Sequence, residues 1–293
     1  MIPKEILKQI RRIQITTSRM VRDVFSGQYQ SVFKGRGIEF DEVRQYEVGD
    51  EIRSIDWNVT ARMGHPYVKK FMEERELTVM LLLDLSGSIY FGTSGRLKRQ
   101  LAAEICAVLA LSAIRNNDRV GMIIFTDRIE KFIPPKKGLG HVLLIIREAL
   151  YFMPQGKRTD IALALEYLNR VLHRTSVVFL VSDFYAPKFE NALAVANKRH
   201  DLIGITITDP KEIELPNNIG IVQFEDAETG SLFFWDTSDI SLNNAFKENS
   251  QRIIQERKRL FSRLGVDYID IRSDRPYEKS LFAFFRMRER RLR

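Results

Sequence analysis

The sequence predicts an α/β protein: a mainly parallel sheet flanked by helices, with a small β-rich N-terminal extension. Three observations carry that prediction. Residues 79–83 (VMLLL) and 177–181 (VVFLV) are wholly apolar runs, too short for helices and suited to strands buried on both faces. The positions Leu97, Leu101, Ile105, Val108, Leu109 and Ser112 recur at helical spacing along one face. From Thr78 onward, strand-like and helix-like segments alternate, the order that builds βαβ crossovers.

Taken in order, the chain divides into 1–34, 35–76 and 77–293. Within the first part, residues 1–24 can form a basic amphipathic helix with Ile6, Ile10, Ile13 and Thr17 near one face. That face packs into a core or, alternatively, lies on a membrane surface or a partner. In the second part Gly35, Gly37, Gly49 and Gly64 punctuate short mixed stretches. Residues 38–40 and 55–57 read as short strands, Val48-Gly49-Asp50 as a turn, and 67–72 as a strand leading towards the main domain. Phe40, Tyr46, Ile55, Trp57 and Phe71 are too many large apolar groups to leave in water. The segment is therefore expected to pack on the main domain, with Trp57 as its anchor.

The third part carries the regular pattern. A helix over 96–115 is followed by strands over 119–125 and 129–133, joined through Thr126-Asp127-Arg128 and stopped by Pro134, Pro135 and Gly138. Helices over 141–152 and 160–173, a strand at 177–181, a helix over 189–200 and a strand over 202–207 continue the alternation. A hairpin (221–224 and 232–235) around Thr229-Gly230, a helix over 243–264, a strand over 267–271 and a helix from Tyr277 complete it.

Composition bounds the function. The net charge of +8 over 293 residues suggests nucleic acid until it is divided. Residues 1–22 contribute +5 and residues 286–293 contribute +4, which leaves −1 for the body between them. No basic nucleic-acid surface is predicted, whereas the basic ends could make peripheral membrane contact. No apolar run approaches the roughly 20 residues that span a bilayer, and Lys4, Lys8, Arg11 and Arg12 interrupt any signal-peptide core. A cytoplasmic location is expected. The lone Cys106 fits a small apolar filler on a helix.

The chemistry concentrates where apolar strands turn polar. Asp84, Ser86 and Ser88 leave the first strand, with Gly87 permitting a tight turn between them. Asp183 leaves the later apolar strand, and Thr159 lies in a loop just before a helix. Open α/β sheets bind ligands outside the carboxyl ends of their strands. Two carboxylates and three hydroxyls there make an oxygen donor set suited to Mg²⁺ or Mn²⁺. Each residue also has a plainer reading: Ser88 or Ser94 capping the next helix, Thr159 as an N-cap, and Asp183 bonding nearby backbone groups.

On these residues the chain resembles a von Willebrand factor A-like (Rossmann-like) domain over about 77–210, and its metal-ion-dependent adhesion site in particular. The family's Asp-x-Ser-x-Ser, Thr and Asp positions are filled by Asp84, Ser86, Ser88, Thr159 and Asp183. A narrower resemblance lies in front. Gly35-Arg36-Gly37-Ile38-Glu39-Phe40, Arg44-Gln45-Tyr46, Gly49-Asp50, Arg53, Ile55-Asp56-Trp57, Thr60-Ala61-Arg62, Phe71 and Glu74-Arg75 look like the signature of domain-of-unknown-function family 58. That resemblance implies an association with MoxR-type AAA+ ATPases. Many relatives carry transmembrane helices ahead of the signature; their absence here favours a soluble form.

Two ionised Asp residues just neutralise a dication, so an open coordination position would attract a carboxylate from another molecule. The expected function is a metal-dependent protein-interaction module, working with a MoxR-type ATPase or a shared client that contributes an acidic residue. The alternative is a metal-dependent phosphoesterase or nuclease. Catalysis would need a poised base, and the histidines are scattered without metal-ligand spacing. A nucleotide loop at Gly87, Gly92, Thr93 and Ser94 lacks the Lys that grips phosphate. A phosphatase built on Asp84 lacks the second Asp, since Ser86 stands there. The acids Glu39, Asp41, Glu42, Glu47, Asp50, Glu51 and Asp56 could form a nuclease-like site, or simply be solvated beside Arg44 and Arg53.

Overall fold

The computed structural model describes residues 39–72, 76–93 and 95–292, together with Ile13, Tyr29, Val32 and Phe33. The predicted helix over 1–24, and Gly37, Glu74, Arg75 and Ser94, lie outside the described residues apart from Ile13, which is helical and buried. The chain folds as two units, Phe33–Leu77 and the remainder.

The smaller unit is an antiparallel pair, β1 (Glu39–Gln45) and β2 (Tyr67–Met72), with a short helix, α1 (Trp57–Met63), between them. Its signature residues close its turns. Arg44 pairs with Asp50 at 2.6 Å, and Asp50 also accepts the backbone N–H of Glu47 at 2.9 Å. Gly49 adopts φ +117° between them. Residues 55–57 differ from the expected strand: Ile55 makes only an isolated bridge to Val68, and the helix begins at Trp57. The reason is Asp56, whose carboxylate accepts the N–H groups of Asn58 and Val59 and so starts a helix. Trp57, expected as an anchor, is instead 67% exposed on the first turn of α1.

The larger unit is built on a six-stranded sheet in the order β10-β7-β6-β3-β4-β5. Its strands are β3 (Thr78–Asp84), β4 (Arg119–Phe125), β5 (Ile129–Lys136), β6 (Val177–Ser182), β7 (Asp201–Thr208) and β10 (Asp267–Arg272). All neighbours are parallel except β4 and β5. The two apolar runs become β3 and β6, adjacent and central, and residues 79–83 are fully buried. Met80 and Leu82 of β3 face Ile161, Leu165, Leu193 and Phe261 from the helices α4 (Ile161–Val171), α5 (Glu190–Arg199) and α7 (Ile240–Leu264). The helix α2 (Lys98–Arg115) is buried along nearly its whole length and packs against α3 (Leu139–Tyr151).

Two further differences have local causes. Strand β5 continues through Pro134 and Pro135 rather than stopping there. As an edge strand, β5 tolerates residues that cannot donate to a second neighbour. The hairpin β8 (Ile221–Glu225) and β9 (Leu232–Asp236) forms where expected but as a separate two-stranded sheet. The short α6 (Pro210–Ile213) and the terminal α8 (Tyr277–Leu292) complete the unit.

Because Asp56 supplies two hydrogen bonds to the first turn of α1, Asp56→Ala lowers stability by about 0.5–2 kcal/mol, whereas Asp56→Asn changes it little. Urea unfolding checks this; equal midpoints for the two variants would contradict the capping role.

Candidate metal-binding site

From β3 the chain crosses to β4 on one side, while β6 lies on the other side. The carboxyl ends of β3 and β6 therefore flank the point where strand order reverses, where α/β sheets open a ligand crevice. Asp84 ends β3 and Asp183 follows β6, and both side chains are almost wholly buried.

The β3 loop tightens immediately. The Ser86 N–H donates to Asp84 Oδ1 at 2.9 Å, and the Ser86 and Ser88 hydroxyls stand 3.3 Å apart. The Ser88 hydroxyl in turn bonds the Asp183 carboxylate. Ser88 sits in a 3-10 turn, Gly87–Tyr90, and α2 begins only after Leu97, so Ser88 does not cap that helix. Thr159 is not an N-cap either: Asp160 takes that role, accepting the Leu163 N–H at 2.9 Å. The Thr159 hydroxyl is thereby released to donate to Glu228 Oε1 at 3.0 Å. A backbone bond from Gly87 to Lys157 at 2.8 Å ties the Thr159 loop to the β3 loop. Asp84, Ser86, Ser88 and Asp183 are thus brought together directly, whereas Thr159 bonds Glu228 and is tied to them by the backbone bond between Gly87 and Lys157.

Four neighbours were not predicted. Ser182 donates to Asp84 Oδ2 at 2.6 Å. Lys98, fully buried in the first turn of α2, donates to Asp183 Oδ2 at 2.9 Å and to Glu212 Oε1 at 2.5 Å. Glu228 arrives from the tip of the β8–β9 hairpin. The only sequence signal for Lys98 is a charge opening a helix that is otherwise apolar on nearly every side.

The electrostatics are uneven. Burial opposes the charge on Lys98, but Asp183 and Glu212 outweigh it and hold the ammonium above its ordinary range. Burial likewise pushes Asp183 up, and Lys98 with the Ser88 hydroxyl more than reverses this. Asp84 has no such cation among the described residues: burial, then the Asp183 charge, raise it to about 7, only partly offset by Ser182 and Ser86. Glu228 is raised by burial, and the Asp183 charge adds to that.

The described residues contain no grouping of three or more His, Cys, Asp or Glu side chains able to hold a metal. The candidate donors are of another kind, two carboxylates and three hydroxyls. They fit a hard dication: Ser86 and Ser88 oxygens 3.3 Å apart are close to the roughly 3 Å between adjacent corners of an octahedron with metal–oxygen distances of about 2.1 Å. Asp84, Asp183 and Glu212 against Lys98, which bonds both Asp183 and Glu212, leave a net negative charge to balance the ion. The rival readings lose their residues to structure. Thr93 donates its hydroxyl and its N–H to Asp209, and a Cβ at Gly92 would meet the Arg96 carbonyl at 2.2 Å. Asp50 and Asp56 serve a turn and a cap.

Fold and strand order define an α/β domain with a mainly parallel six-stranded sheet flanked by helices. The chain belongs to the family described as protein of unknown function DUF58, whose model matches residues 42–256. It is 29% identical to the uncharacterized protein Rv1480 of Mycobacterium tuberculosis over 289 residues, covering 96% of this chain and 89% of that one. Among solved structures it is similar to the conserved hypothetical protein BatB of Bacteroides thetaiotaomicron, with a TM-score of 0.47, 14% identity, and 73% and 99% of the two chains covered. It is also similar to the VWA domain of SpRpn10, with a TM-score of 0.42, 11% identity, and 71% and 94% covered.

A raised carboxyl holds its proton in the folded chain where the unfolded chain has released it. In chelator, stability therefore falls as pH rises from about 4 to about 7. Asp84→Asn removes that slope and at pH 8 stabilises the metal-free protein by about 1–3 kcal/mol, a rise in Tm of about 2–4 °C per kcal/mol. At pH 4 the two proteins melt together. A variant with the wild-type slope would show that Asp84 is not the strained group.

Proposed function

We propose that this protein is a metal-dependent protein-interaction module whose docking point is the crevice between β3 and β6. The observation that carries the reading is the buried Asp84 carboxylate, bonded by two serines and supplied with no cation among the described residues, beside an Asp183 already held by Lys98. Asp84, Ser86, Ser88, Thr159 and Asp183 would hold one Mg²⁺ or Mn²⁺, directly or through water. When bound, the ion supplies an electrophilic position for a carboxylate oxygen of another protein. The chain's own residues do the rest. Lys98 fixes Asp183, Ser182 fixes Asp84, and the 3-10 turn presents Ser88. Family resemblance suggests the partner class: a MoxR-type AAA+ ATPase, or a client shared with one, offering a Glu or Asp. A docking role also suits a site in which Asp183 is engaged by Lys98 and Asp84 by Ser182, with no histidine beside them among the described residues.

Binding of such a partner requires the divalent ion, disappears in EDTA, and is lost in both Asp84→Ala and Asp183→Ala. It resists moderate salt, because direct metal–oxygen coordination is screened far less than charges separated by water. Pull-down with and without chelator, followed by a salt series on the captured complex, checks this. Full affinity in EDTA would instead assign the contact to the basic ends.

A further inference from the structure

The β8–β9 hairpin stands apart from the main sheet, yet its tip reaches the crevice. Asp226 shapes that tip by accepting the N–H groups of Glu228 at 2.9 Å and Thr229 at 2.8 Å, and Gly230 turns it at φ +72°. Glu228 then accepts a hydrogen bond from the Thr159 hydroxyl at 3.0 Å. On the other side, Ala227 lies against Gly87, between Ser86 and Ser88; a Cβ at Gly87 would meet the Ala227 carbonyl oxygen at 2.0 Å. The tip thus spans the candidate donors, touching the middle loop with a carboxylate and the β3 loop with its backbone.

The rest of the hairpin is held unevenly. Its base is fixed: Trp235 donates to Asn243 at 2.9 Å and packs edge-on against Phe246, and Thr237 donates to the Gly220 carbonyl at 2.7 Å. Its strands are poorly covered, with Ile221, Leu232 and Phe234 at 73%, 59% and 72% exposure. An isolated two-stranded ribbon is marginal in water, so a fixed base and thinly covered strands make a strap whose tip is held by its contacts at the crevice.

We infer that Glu228 is the chain's own occupant of the docking position, filling the place at the metal that an acidic side chain of a partner would take, so that a partner docks only by displacing the hairpin tip. The inference rests on the metal-docking reading above and adds to it a closed state and a competitor. An acidic partner segment replaces one carboxylate with another, and the ion keeps its coordination throughout. The closed state also lowers the attraction of the bare site for stray carboxylates.

The test uses the full chain and Mn²⁺ alone. Bound Mn²⁺ relaxes water protons in proportion to the exchangeable waters it holds. Glu228→Gln opens one coordination position to water, so relaxivity per bound ion rises and Mn²⁺ affinity falls by about tenfold or more. Gly87→Ala, which alters none of the five donor side chains nor Glu228, forces Ala227 and with it the tip away and raises relaxivity in the same direction. In both variants the amides of 226–230 lose the protection from hydrogen exchange that Mn²⁺ confers on the wild type. Wild-type relaxivity and protection in both variants, with Mn²⁺ still bound, would overturn the strap and leave the metal site standing. Failure of the wild-type protein to bind Mn²⁺ would overturn both.

Discussion

A single buried ammonium sets the geometry of the crevice. Lys98 is fully enclosed, and its cost of desolvation is offset by bonds to Asp183 and Glu212. These three groups join the start of α2, the end of β6 and the short α6. Removing one member of such a buried network typically costs about 3–5 kcal/mol, because it strands the others. Arg257 adds a bond to the Asp183 carbonyl at 2.6 Å, so both the backbone and the carboxylate of Asp183 are held. With Asp183 committed to Lys98, the deficit of positive charge falls on Asp84. The polarity of the site follows from which of two neighbouring carboxylates received the lysine.

What was legible in the sequence were features that a single segment can state. An apolar run ending in Asp announces a buried strand and a polar strand end, and β3 and β6 formed with both carboxylates where expected. Asp-x-Ser-x-Ser needs only five residues to express its turn. Lys98, Ser182 and Glu228 could not be read in this way, because each acquires its meaning from a partner 69 to 98 residues distant. A lysine opening a helix is ordinarily a solvated charge. Thr159 and Asp160 show the finer limit: both residue types cap helices, and only the backbone at that turn decides which one does.

The smaller unit repeats the lesson with the opposite sign. Its acids looked like a cluster because they crowd one stretch of chain, but two of them have separate local roles. Asp50 closes a turn with Arg44, and Asp56 starts a helix. Trp57 looked like an anchor because large aromatics are usually buried, but it is 67% exposed at the start of a helix with no buried residue. Val48, Ile52 and Met63 are also exposed in the same unit, at 102%, 67% and 58%.

Cys106 lies in the middle of α2 with no exposed surface, and burial pushes its thiol up to about 12. A thiol so placed offers almost no thiolate at neutral pH and no path to a reagent. It is also the chain's only cysteine. The wild-type protein is therefore chemically silent towards maleimides and disulfide probes, and a cysteine introduced at exposed Thr229 would be its sole reactive thiol. Spin labels or fluorophores could then report the position of the hairpin without first stripping the native sequence, because the packing of α2 has already removed the background.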